Sequence, residues 1–224
     1  MATPPVVSAD EWRQAREELL IAEKAATRAQ DALAARRRRL PMVAFGPYTF
    51  TGTSGDVTLR DLFGDDDQLV VYQFMDLGPD ALCPGCTHVT DNVTALDVLA
   101  DRGISWATVS NMPIEQIDRA KAEHGWTLPF HSSRGTSFAD DCGAGEGFML
   151  SAFLRDGDDV YRTYNTTSRG YEKLAFVTNI LDMSVYGRRE DWEDSPAGWP
   201  QEPTYIQPTT MDPHHVSTGY GTFE

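Results

Sequence analysis

The tetrapeptide Cys83-Pro84-Gly85-Cys86 constrains this chain more than any other feature, because of what flanks it. The apolar run 68–75, Gln-Leu-Val-Val-Tyr-Gln-Phe-Met, predicts a buried strand, and residues 87–100 predict a helix. Two thiols two residues apart at a strand-to-helix turn can close a small disulfide and reopen it. The first turn of a helix offers unpaired N–H groups and a positive dipole end, which favour thiolate over thiol. Redox chemistry is therefore the first expectation for Cys83 and Cys86. The plainer alternatives are an inert buried dithiol or a disulfide that staples the turn. A zinc site would draw on Cys83, Cys86 and His88 with Cys142 or His131. It lacks the second spaced pair from which zinc tetrads are built, so no metal and no other cofactor is expected.

Charge narrows the partners. The chain of 224 residues holds 34 Asp and Glu against 19 Lys and Arg, a net charge of −15 that disfavours nucleic acid and anionic membranes. Its one basic cluster, Arg36 to Arg39, reads as the C-terminal end of a helix complementing its own dipole. No apolar run reaches the length of a membrane span, and the residues after Met1 carry neither the basic nor the apolar segment of a secretion signal. Three cysteines are too few for a secreted disulfide scaffold, so the expected compartment is the cytoplasm.

Along the chain, Ser8 and Glu11 form a capping box ahead of a helix over 9–39 that Pro41 ends. Its stripe of Trp12, Leu19, Leu33 and intervening alanines must lie on something: the chain's own domain, or a second subunit in a homodimer. Short strands follow at 42–45 and 48–51, then a turn at 52–56 and a helical turn at 58–63. A second buried strand is expected at 104–109, and a helix at 114–124 stopped by Gly125. A hairpin over 148–154 and 160–164 and an amphipathic helix over 170–183 complete the pattern. The order β-α-β-α-β-β-α is the thioredoxin-like α/β arrangement, a mixed central sheet with flanking helices, here extended by a long N-terminal helix. This divides the chain into a helical extension (1–40), a thioredoxin-like domain (41–186) and an irregular tail (187–224), in which His214 and His215 are most simply exposed.

Two resemblances sharpen this frame. The segments 48–64, 107–113, 121–125 and 128–133 resemble parts of peroxiredoxins. More closely, residues 8–195 are similar to the uncharacterised thioredoxin-like family numbered 899 among domains of unknown function. The matching pieces include Leu40-Pro-Met-Val43, Phe74-Met75, Cys83-Pro-Gly-Cys86, Gly125-Trp126, Ser168-Arg-Gly170 and Gly187-Arg188. The family resemblance implies a histidine directly before the Phe-Met pair and another before the Thr-Tyr pair; this chain has Gln73 and Arg162 there.

Pro79 to Cys86 fits the peroxiredoxin signature with cysteine in its threonine position, which would make Cys86 the peroxidatic sulfur. The thioredoxin resemblance reverses the roles, with Cys83 attacking and Cys86 resolving. Against full activity of either kind, the segment before Ser151 lacks the peroxiredoxin arginine and the thioredoxin cis-proline.

Supporting roles are expected for Pro79, Pro84, Gly85, Thr87, His88 and Gln73. Trp126 is a candidate roof over the sulfurs, and Arg169 a candidate replacement for the missing arginine. Cys142, read as a loop residue beside aspartates that raise its pKa, is expected to be a bystander. Three functions remain: a thiol–disulfide oxidoreductase acting on a small-molecule or protein disulfide, a thiol peroxidase acting through Cys86, and a non-catalytic binding module or specialised biosynthetic protein.

Overall fold

The computed structural model of the chain describes residues 2–202 and 216–219; His214 and His215 lie outside the described residues. The chain opens with α1 (Ala9–Arg37), whose Ser8 cap and Glu11 make the expected capping box. Then come β1 (Val43–Ala44) and the hairpin of β2 (Thr49–Gly52) and β3 (Gly55–Thr58), followed by a 3-10 turn (Asp61–Phe63). The central strand β4 (Gln68–Phe74) leads into α2 (Pro84–Asp91) and α3 (Leu96–Ala100). Next are β5 (Ile104–Ser110), α4 (Ile114–His124), β6 (Phe130–Ser132) and α5 (Phe138–Cys142). The hairpin of β7 (Met149–Asp156) and β8 (Asp159–Ser168) follows. A 3-10 segment (Arg169–Leu174), α6 (Phe176–Met183) and β9 (Val216–Ser217) end the described chain.

The strands form one sheet in the order β1-β8-β7-β4-β5-β6-β2-β3, with β9 on β8. β4 runs parallel to β5 and antiparallel to β7, which pairs in turn with β8. The central four strands, β8-β7-β4-β5, with a helical crossover between β4 and β5, are the thioredoxin-like core. Alternation along β4 separates two interiors. Leu69 and Val71 face one cluster with Phe138, Cys142 and Phe153. Tyr72 and Phe74 face the other with Cys86, Trp126 and Phe130. The first interior centres on the Phe138 ring, edge-on to Tyr48 and Phe50 at 5.2 and 5.0 Å between centroids.

Several local expectations change. The helix expected over 87–100 is broken, because Asn92 turns its side-chain amide back onto the His88 carbonyl at 2.7 Å and Ala95 takes a left-handed conformation at φ 53°. The helix expected over 170–183 begins as a 3-10 turn. Tyr171 is drawn into the core there, Ala175 is extended and buried, and only then does α6 start. Gly55 and Asp56, read as the end of a turn, and Thr58, read as the start of a helical turn, belong instead to strand β3. The stop at Gly125 is as expected, left-handed at φ 71° with its N–H on the Lys121 carbonyl. Among the described residues no helix is long and apolar enough to cross a membrane.

Replacing Phe138 with alanine empties the centre of the first interior. It is expected to cost about 3–5 kcal/mol of unfolding free energy in urea titrations. A loss under about 1 kcal/mol would show that the ring is not the anchor.

Candidate active site

Cys83 is the N-cap of α2, and Pro84 occupies the first helical position, where its missing N–H costs nothing. The Cys83 sulfur accepts the Cys86 N–H at 3.4 Å, in the place a serine or aspartate oxygen takes in an ordinary cap. The Thr87 N–H donates to the Cys83 carbonyl at 2.9 Å, closing the first turn. One turn into the helix, Cys86 is 1% exposed, and its sulfur accepts the Met75 N–H at 3.4 Å from the end of β4. The two cysteines are both free thiols, Cys83 half-buried and Cys86 buried.

Their chemistry is unequal. The Cys86 thiol donates to Cys83, and with the N–H groups of Cys86 and Gly85 it holds the Cys83 pKa down at about 6 against the opposing effect of burial. Cys86 is pushed well above the usual thiol range, first by that same bond to Cys83, then by burial and the neighbouring Cys83 charge. A tyrosine joins them. The buried Tyr72 hydroxyl lies against the Cys86 sulfur without a well-aligned partner, and with the Met75 N–H it favours the Cys86 thiolate. Sequence reading passed over Tyr72; the available signal was its place two residues before Phe74 on the face that meets the cysteine helix.

Residues 1–205 match the family described as "Bacterial protein of unknown function (DUF899)". The chain belongs to this family. No curated protein is similar to it at a significant level. Among solved structures, this DUF899 member resembles an uncharacterized conserved protein from Geobacillus kaustophilus, with 20% identity and a TM-score of 0.38 over 55% of this chain and 68% of that one. It also resembles the peroxidoxin BcpB from Mycobacterium tuberculosis, with 18% identity and a TM-score of 0.38 over 55% of this chain and 86% of that one. A thiol:disulfide interchange protein from Bacteroides sp. shares 16% identity, with a TM-score of 0.41 over 66% and 92% of the two chains.

The remaining candidates fall in different places. Trp126 packs in the interior that holds Cys86, its indole N–H donating to Asp91 of α2 at 2.7 Å and its ring stacked on His124 at 4.5 Å. It thereby ties the cysteine helix to the end of α4. His88 has its Nε2 3.4 Å from the Thr178 hydroxyl, reaching α6 rather than a sulfur. The Thr87 hydroxyl is buried without a hydrogen-bond partner. Pro79 lies on the loop before the pair, lining a small cleft with Gln116 and Arg119. Arg169 pairs with Glu172 of its own 3-10 segment at 2.9 Å, and its guanidinium lies 3.9 Å from the centre of the Trp192 ring.

Cys142 ends a short helix, α5, instead of lying in a loop, and it is fully buried in the interior opposite Cys86. Its pKa is raised to about 12, with burial as the main cause and Asp141 a lesser one, where the sequence pointed to the aspartates. A tetrad joining Cys142 to the pair is therefore not assembled.

The two positions where family resemblance implies histidine also lie on the Cys142 side. Gln73 shares its face of β4 with Leu69 and Val71. Arg162, opposite Phe153 on β8, donates to the Asp141 carbonyl at 2.6 Å and lies over the Phe45 ring. Gln73 is 2% exposed, its Oε1 has no partner, and it lines a cavity of about 710 Å³ with Met75, Asp76, Asn111 and Glu146.

An unpaired buried amide costs stability, so Gln73→Leu is expected to raise the unfolding free energy by about 1 kcal/mol, measured by urea titration. Destabilisation of that size would show that the amide has a partner in solution.

Proposed function

We propose that the protein is a thiol–disulfide oxidoreductase in which Cys83 attacks and Cys86 resolves. The observation that carries this is the asymmetry of the pair: the accessible sulfur is the one with the lowered pKa, and the buried one keeps its proton.

In the first step the Cys83 thiolate attacks one sulfur of a small-molecule or protein disulfide. The substrate S–S bond breaks, the leaving thiolate takes a proton from solvent, and a mixed disulfide forms on Cys83. This removes the Cys83 charge and the acceptor that held the Cys86 proton. What remains around Cys86 favours its thiolate: the Met75 N–H and the Tyr72 hydroxyl. Cys86 then gives up its proton and attacks the Cys83 sulfur, which releases the second substrate thiolate and leaves a Cys83–Cys86 disulfide. Two electrons pass to the substrate, and the pair must be reduced again by a dithiol donor. A reducing cytoplasm would supply that donor.

The peroxidase alternative needs an accessible thiolate at Cys86. Burial and the proton shared with Cys83 count against it. The binding-module alternative predicts a pair that never turns over.

Alkylation of the reduced protein by iodoacetamide is expected to label Cys83 with a midpoint near pH 6. A midpoint near 9, the ordinary thiol value, would remove the basis for an attacking Cys83. With bis(2-hydroxyethyl) disulfide, Cys86→Ser is expected to accumulate a mixed disulfide at Cys83 and Cys83→Ser none. Trapping at Cys86 would favour the peroxidase order, and absence of trapping at both would leave the binding module.

The folded pKa of Cys83 lies below its unfolded value. The reduced protein should therefore gain stability as pH rises from about 6 towards 9 and lose it again on acidification. Above about 9 the slope reverses, because Cys86 is displaced the other way and holds its proton in the folded state. Urea midpoints across that range check both signs, and Cys83→Ser should flatten the lower limb.

A further inference from the structure

The first helix presents a surface that its own chain leaves open. None of the 29 residues of α1 is buried; Trp12 and Leu19 are 62% and 55% exposed, and Leu33 is also exposed. The helix touches the body through other residues. Gln30 accepts a hydrogen bond from Lys173 at 2.6 Å, and Arg37 lies over the Tyr164 ring. Of the two ways to cover the stripe, the fold over its own domain is thus not the one adopted.

The stripe has a regular form. Trp12, Leu19, Ala26 and Leu33 recur every seven residues, and Ala15, Ala22 and Ala29 follow each of the first three at an interval of three. That is an a/d seam with large residues at a except Ala26, and alanine at d, the spacing of a two-stranded coiled coil.

Charge sets the direction. Residues 9–24 hold five acidic and three basic side chains, and residues 25–39 hold one aspartate and five arginines. Parallel pairing would set like against like. Antiparallel pairing sets the acidic half against the basic half and opposes the helix dipoles.

We infer that two copies of this chain pair antiparallel along α1, forming a symmetric dimer. In this arrangement each a residue faces a d residue of the other copy, so Leu19 meets Ala29, Leu33 meets Ala15, and the centre is a layer of Ala22 against Ala26. Every large side chain but one sits opposite an alanine, which lets the two backbones approach closely. The exception, Trp12, meets Arg36, whose guanidinium can lie on the indole face. The Gln30–Lys173 contact brings the segment leading into α6 beside the basic half of the helix. Phe176, which follows this segment at the start of α6, is 70% exposed and adds apolar surface beyond it.

Light scattering on a sizing column tests the association. The native chain is expected at twice 24.9 kDa, and the double variant Leu19→Glu/Leu33→Glu at 24.9 kDa. Both leucines are exposed in the single chain, so the variant keeps its fold, which an unchanged thiol alkylation profile would verify. A native protein that runs at 24.9 kDa at all micromolar concentrations overturns the dimer, and so does a variant that keeps the doubled mass.

Direction is read by cross-linking in a Cys83→Ser/Cys86→Ser background. A mixture of Ala22→Cys and Ala26→Cys chains is expected to form the heterogeneous disulfide in the antiparallel pair. Self-linking of Ala22→Cys alone marks a parallel pair and overturns the arrangement. These outcomes are independent of whether the cysteine pair is active.

Discussion

A single weak hydrogen bond, from the Cys86 N–H to the Cys83 sulfur, organises the centre of this protein. It starts helix α2, and because the acceptor is sulfur, the cap that the helix needs for stability is also the group whose ionisation the helix favours. Starting the helix there places Cys86 one turn in, on the face that packs against Tyr72 and Phe74 of β4. The burial of Cys86 and the ionisation of Cys83 are thus two consequences of one choice of cap. Losing the cap would loosen both, along with the Trp126–Asp91 bond that fixes the far side of the same helix.

Strand alternation then decides what the sulfurs can and cannot use. β4 lies between β5 and β7, and a buried cluster covers each of its faces. Tyr72, an even position, meets Cys86. Gln73, an odd one, meets the opposite cluster with Cys142. Family resemblance implies histidine where Gln73 and Arg162 stand, and the sequence assigns Gln73 a role in support of the cysteine pair. The sheet turns Gln73 towards the opposite cluster, while the cavity of about 710 Å³ that it lines also takes in Met75, which packs against the interior holding Cys86. Replacement of the family histidines therefore bears first on the packing of that second interior.

Much of the frame was legible from residues alone, because the signals were local. The strand before the cysteines, the proline at the start of α2, the Ser8–Glu11 box and the left-handed stop at Gly125 each need only a few neighbours to be recognised. What escaped depends on distant contacts. Asn92 looks like an ordinary helix residue until its amide is seen to bond the His88 carbonyl while its oxygen accepts the Val177 N–H from α6. Cys142 reads as a loop cysteine until Phe138 inserts between Tyr48 and Phe50 and pulls residues 138–142 into a buried turn of helix. Which cysteine attacks could not be read from a motif that fits two families with opposite roles. The proposed order, with Cys83 attacking, rests on depth, which the packing of α2 on β4 sets.

The long first helix is the reverse case, since its stripe is plain in the sequence and its partner is not. A coiled-coil seam and a strap over the chain's own domain demand nearly the same spacing of apolar residues. What separates them is whether the rest of the fold offers a matching groove, and the surface beside α1 offers a lysine, a tyrosine and a half-open α6. Alanine at every d position from 15 to 29 fits a close helix–helix approach better than it fits packing on a broad sheet, where such small side chains would leave voids. In the dimer inferred from this stripe, the arm would join two bodies without entering either cysteine site. The proposed thiol exchange and the inferred association can then vary independently.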